Sequence, residues 1–203
     1  MPWIELIVAL ITSLTTLGAV WLAYYLKNRK HVSVEDTVRR DTVIYQILSD
    51  IRRRFNFGRV GISLFHNGSN YYTGAPMQKA SISFETLAPG ITPIGPSMKD
   101  IPIGNMSFSM SQIADNGSFC VDNIEECEDE HYRNLMAAYD EVSHYAFKIS
   151  DNGNWVGVLI ADYCESQEGT EPISAASCEY LSVQASRLAT LLSLSNKGYN
   201  IED

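Results

Sequence analysis

Few of the signatures by which a sequence declares its chemistry occur in this chain of 203 residues. Gly-x-Ser-x-Gly, the phosphate-cradling Gly-Lys-Ser/Thr loop, the His-Glu-x-x-His zinc helix and paired C-x-x-C spacing are all absent. No catalytic residue, no metal ligand and no cofactor is assigned from sequence, and the chain is not read as an enzyme. Cysteine is scarce: Cys120, Cys127, Cys164 and Cys178 have no metal-ligand spacing and read as reduced thiols. The acidic run Glu126, Glu128, Asp129 and Glu130 lacks the Asp-x-Asp-x-Asp-Gly order of a calcium loop and reads as a helix cap. Cations thin out along the chain: residues 60–203 hold six Lys or Arg against nineteen acids, whereas residues 27–59 hold nine against four. An acidic body repels phosphate backbones, so nucleic acid is not an expected partner.

Charge of either sign is missing from Leu6 to Leu26, a run of 21 residues. At about 1.5 Å per residue it is long enough to cross a hydrocarbon core of about 30 Å. No Lys or Arg precedes it, as a secretory signal would require, while Trp3, Trp21, Tyr24 and Tyr25 suit the two membrane interfaces. Residues 1–26 are therefore expected to be a transmembrane anchor and residues 27–33 a basic stalk. Lys27, Arg29 and Lys30 flank the run on one side only, which by the positive-inside rule keeps the remainder in the cytoplasm. The expected location is the inner membrane, single-pass, with the lipid bilayer as a partner. Small residues along the span permit self-association.

After the stalk, Ile44, Leu48, Ile51 and Phe55 fall at helical spacing behind Ser33, a cap for Asp36. Arg52, Arg53 and Arg54 are expected mostly in solvent. "RVGISLFHNG" then changes period to two, with Val60, Ile62, Leu64 and His66 on one face. A turn-rich segment, a second strand "ASISFETLAP" and a proline-rich irregular stretch follow. "SFCVDN" reads as a short strand and "ECEDEHYRNLMAAYDE" as a helix. Asn152-Gly153 joins two alternating runs into a hairpin, with Val156, Val158 and Ile160 on one face of its second strand. The last helix starts at a Ser174 cap and carries the stripe Leu181, Ala185, Leu188 and Leu192.

This order of elements, "IPIGNMSFSMSQIADNGSFCVDNIEE" leading into a Val-x-Asp strand, the hairpin ending in Gly-Val-Leu and the capped closing helix "PISAASCEYLSVQASRLATLL" resemble the GAF domain family. The resemblance covers residues 34–195 and leaves 196–203 as a flexible tail. It implies an α+β fold, a central antiparallel sheet with flanking helices, here preceded by one transmembrane helix. It also implies a non-enzymatic sensory or regulatory module, often dimeric through its end helices. Some members hold a small molecule between the sheet and the loops over one face. The Asn-Lys-Phe-Asp-Glu pattern of cyclic-nucleotide binders is missing, and no cysteine is placed for a bilin.

For such a pocket the sequence offers His66, at the end of an apolar strand face, and Tyr71 and Tyr72 in the loop behind it. Ser83 and Phe84 lie on the second strand, and Asp122 follows a strand-like run. For Asp122 and Asp162 turn and cap roles are favoured. The leading reading is a membrane-tethered, cytosol-facing module that binds a small ligand or docks a protein partner. The alternative is a self-assembling structural or interaction membrane protein without a ligand, of the kind a phage or other mobile element encodes. A small hydrolase would need a nucleophile and a base within hydrogen-bond reach, for which co-location of His66 with Asp122 and a serine or cysteine is the sign.

Overall fold

A computed structural model of the chain describes residues 2–27, 33–71, 73–164 and 172–197. The apolar run forms α1 (Pro2–Lys27), whose stretch Trp3–Tyr25 is 0% buried, so its Leu, Ile and Val side chains are left uncovered by the rest of the described residues. The Lys27 side chain, Arg29 and Lys30 lie outside the described residues, as does the tail beyond residue 197. α2 (Val34–Phe55) starts where Ser33 accepts a hydrogen bond from the Asp36 amide at 3.0 Å and ends at Asn56, whose φ of 55° is left-handed. Ile44, Leu48 and Ile51 are fully buried along one stripe, as their spacing predicts.

Six antiparallel strands follow in the order β3-β2-β1-β6-β5-β4: β1 (Arg59–Asn70), β2 (Pro76–Leu87), β3 (Ile101–Pro102), β4 (Ser118–Val121), β5 (Glu141–Asp151) and β6 (Asn154–Cys164). Between β3 and β5 lie α3 (Ser107–Asn116) and α4 (Glu130–Ala137), and α5 (Ala175–Lys197) closes the fold. The hairpin turn takes positive φ at both Asn152 (49°) and Gly153 (81°), the geometry that suits the twist of the flanking strands. Ser174 receives the Ser177 amide at 3.2 Å and caps α5.

The sheet is a partition between two cores. On one side α2 and α5 pack through Ile44, Leu48, Leu181 and Leu188 on Val60, Ile62, Tyr145, Phe147 and Leu159. On the other, Ile113 of α3 and Tyr132 and Met136 of α4 pack on Ala146, Val158 and Ile160. Arg53 and Arg54 are exposed as expected, the Arg54 guanidinium lying 4.3 Å from the Tyr180 ring centre.

Three expectations are corrected. The helix around Tyr132 ends at Ala137, because Asp140 turns left-handed (φ 58°) and Glu141 already belongs to β5. Val156 does not share a face with Val158 and Ile160: the β5–β6 register steps from Ile149↔Gly157 to Ser150↔Trp155, and this bulge turns Val156 to the α2–α5 side. Asp162 is neither turn nor cap. It is 0% exposed within β6.

Candidate functional site

Cross-strand registry assembles a cluster that no local segment contains. Arg59 of β1 stands opposite Asp162 of β6, and Asp162 stands opposite His144 of β5. Side chains directly opposite in neighbouring strands project from the same face, here the α3–α4 side. A register shift between Glu141 and Ser143 brings Glu141 to the same place. Arg59 Nη1 donates to Glu141 Oε1 at 3.0 Å and to Asp162 Oδ2 at 3.3 Å. His144 Nδ1 lies 3.1 Å from Glu141 Oε2 and 2.9 Å from Asp162 Oδ1. Each carboxylate thus bridges the two cationic side chains, and the four close a ring. All are at most 5% exposed.

Burial, followed by the neighbouring Asp162 charge, pushes the Glu141 carboxyl up to about 7. For His144 burial works in the opposite direction, but hydrogen bonds to Asp162 and Glu141 override it and hold the imidazole protonated up to about 10. The donor atoms of Glu141, His144 and Asp162 lie within 4.8 Å of one another, a spacing open to a metal ion. The ring favours protons over a metal: Arg59 neutralises one oxygen of each carboxylate, and His144 Nδ1 carries the hydrogen shared by the other two.

The same guanidinium holds the elements that cover this face. Arg59 Nη2 donates to Thr92 O at 3.1 Å and Tyr139 O at 3.3 Å, tying down the 88–100 loop and the end of α4. Its Nε makes no hydrogen bond and faces Glu85 Oε1 at 3.5 Å, an ion-pair contact. Glu85 in turn accepts the amides of Ile94 (2.9 Å) and Gly95 (3.3 Å). Beneath this cover lies a cavity of about 40 Å³, walled by methionines, isoleucines and Tyr132, with Ser63, Ser109, Glu141 and His144 as polar groups.

A larger groove of about 540 Å³ opens on the opposite side, between Arg40 and Tyr45 of α2, Leu192 and Ser193 of α5, and the sheet. Ser83 and Phe84 line it. Ser83 is the extra residue of a bulge, since β1 pairs Ile62 with Phe84 and Ser63 with Ile82. The other residues selected from sequence are not gathered here. His66 is part-exposed, with Nε2 2.9 Å from Ser81 Oγ and 3.5 Å from Asp100 Oδ1. Tyr71 is exposed, and Tyr72 lies outside the described residues. Asp122 accepts from the Tyr145 hydroxyl at 2.9 Å at the end of β4. The hydroxyl that His66 meets is therefore that of Ser81 and its carboxylate that of Asp100, whereas Asp122 is engaged by Tyr145. His66 and Ser81 stand on the part-exposed β1–β2 ribbon, with the carboxylate on the nitrogen that already faces the serine.

Sequence reasoning missed Arg59, Glu141 and His144 as site residues. The available signal was four ionisable side chains inside or abutting apolar alternating runs, where a solvated charge does not belong.

The sequence matches no protein-family model and no curated protein. Solved structures do match the fold. The blue-light absorbing form of the PixJ GAF domain of Thermosynechococcus elongatus superposes with TM-score 0.61 at 15% identity, covering 83% of this chain and 92% of that one. A GAF domain/HD domain protein from Geobacter sulfurreducens gives 0.57 at 12%, covering 78% and 94%. A far-red absorbing protein with bound biliverdin IXα gives 0.57 at 14%, covering 78% and 96%. At these identities the likeness is one of architecture: behind an N-terminal apolar helix, the chain carries a GAF-like α+β fold.

Proposed function

We propose that this chain is a membrane-tethered sensory or regulatory module whose ligand is held between the sheet and the cover formed by α3, α4 and the 88–100 loop. The observation that carries the reading is the small cavity on that face, lined in part by Glu141 and His144 of a buried ring of four ionisable groups. A core built for packing alone has no use for such a ring, because desolvating charges costs more than apolar replacements would. The biliverdin-bound protein of the same architecture supports a small molecule as occupant. In this reading α1 spans the inner membrane, residues 27–33 form the stalk, and residues 34–195 act in the cytoplasm as a non-enzymatic unit. Ser83 and Phe84 serve the helix-side groove, which suits a protein partner's side chain better than an enclosed ligand.

A specific observation favours the second reading, self-assembly. Val34, Val38 and Tyr45 are exposed on α2 at helical spacing, 75%, 57% and 43% respectively, immediately after the anchor. Such a stripe suits a second copy of α2. Native mass spectrometry of the full-length protein, released from membranes in mild detergent, separates the two. A retained low-mass molecule is expected in the sensing reading. A dimer without any small molecule supports assembly alone, and an empty monomer overturns both.

A further inference from the structure

Two cysteines meet across elements that are far apart in the sequence. Cys120 stands opposite Tyr145 in the β4–β5 pairing, so its side chain projects from the same face as Tyr145, the face that α2 and α5 cover. The Tyr145 hydroxyl lies 3.5 Å from the Ile173 amide, just ahead of α5, which seats the start of that helix beside the edge of the sheet. Cys178, in the first turn of α5, packs against the same core. Its thiol adjoins that of Cys120, and the two act on each other through charge and hydrogen bonding.

The pair is open to solvent on one side. Cys120 is exposed on an edge strand and lines an open depression of about 310 Å³, and Cys178 is half-buried. The other two cysteines are placed differently: Cys127 is buried in the α3–α4 core on the opposite face, and Cys164 is buried at the end of β6. Desolvation of its sulfur, followed by the neighbouring Cys178 charge, pushes the Cys120 thiol up to about 12. Cys120 is thus the partner that keeps its proton, and Cys178 supplies the attacking sulfur.

We infer that hydrogen peroxide converts Cys120 and Cys178 into a reversible disulfide that fastens the first turn of α5 to the edge strand β4. The Cys178 thiolate attacks peroxide, the O–O bond breaks with release of hydroxide, and a sulfenic acid remains on Cys178. The Cys120 sulfur then forms the S–S bond as the S–O bond breaks, and its proton leaves with that oxygen as water. The dithiol loses two electrons and two protons, and the peroxide that takes them becomes two waters. The bond closes the long loop that carries α4 and the β5–β6 hairpin, which restricts the unfolded chain and makes the oxidised domain the more stable form. It is independent of the ligand reading, whose cavity lies on the other face of the sheet.

The test uses the full-length protein in mild detergent, reduced, freed of reductant and treated with hydrogen peroxide. Remaining thiols are blocked with N-ethylmaleimide in denaturant before digestion, and peptide mapping is expected to find the Cys120 and Cys178 peptides joined, with Cys127 and Cys164 alkylated. The urea midpoint is expected to rise by about 1–2 M on oxidation and to fall back with dithiothreitol. Cys120→Ser and Cys178→Ser should each abolish both the link and the rise, whereas Cys127→Ser should keep them. Thiols untouched by peroxide, a link between any other cysteines, a cross-linked dimer, higher sulfur oxides without a link, or a linked chain whose midpoint stays in place overturns the inference. The map is read on the wild-type chain, so a serine variant that fails to fold does not blunt the test.

Discussion

Arg59 sits at 1% exposure, where a guanidinium survives only because carboxylates and carbonyl oxygens surround it. The ring it closes makes stability depend on pH in a defined direction. Glu141 and His144 both titrate higher in the folded chain than their ordinary values of 4.5 and 6.5, so the native state holds more protons than the unfolded one. Their stabilisation is complete below about pH 4.5. It erodes as pH rises through about 7, and further towards about 10. Glu141→Gln removes the first step. The difference in urea midpoint between wild type and this variant is therefore expected to shift against the wild type between pH 5 and pH 8, and a difference independent of pH would contradict the assignment.

Among the elements, β1 and β6 approach more closely than side chains allow. A Cβ on Gly157 would press into the Ser63 carbonyl oxygen and lie 3.0 Å from Leu64 Cδ2, whereas one on Gly104 would meet nothing within 4 Å. Gly157→Ala is expected to cost about 1–3 kcal/mol, as overpacking does. Gly104→Ala should stay within about 0.5 kcal/mol, as ordinary surface changes do. Urea denaturation of the two variants checks the contrast. Much at this scale was legible in sequence because its causes are local: Ser33 and Ser174 cap the helices they precede, and Asn152-Gly153 dictates its own turn. Register is not local. The bulges at Ser83 and Val156 depend on how whole strands slide against each other, and the ring joins Arg59 to residues 82 and 103 positions away. Tyr71, Ser83 and Asp122 looked convergent along the chain, yet the sheet sends them to different ends and faces.

For the molecule as a whole, α1 supplies only length and apolarity, and its exposed Leu, Ile and Val side chains call for a nonaqueous surrounding. In the proposed orientation, with the body of the protein on the cytoplasmic side, protease added to intact cells is expected to leave residues 34–195 undigested, and the same protease added to inverted vesicles should release them. Digestion from outside would reverse the orientation proposed here.

Arg59 follows α2 after the short joint Asn56–Gly58, and the same side chain grips Thr92 and Tyr139 in the cover. The cover over the cavity is thus bonded to a side chain that only three residues separate from the end of α2. In the proposed reading, an occupant of the cavity would therefore communicate with the anchor through Arg59, the first residue of β1, and α2.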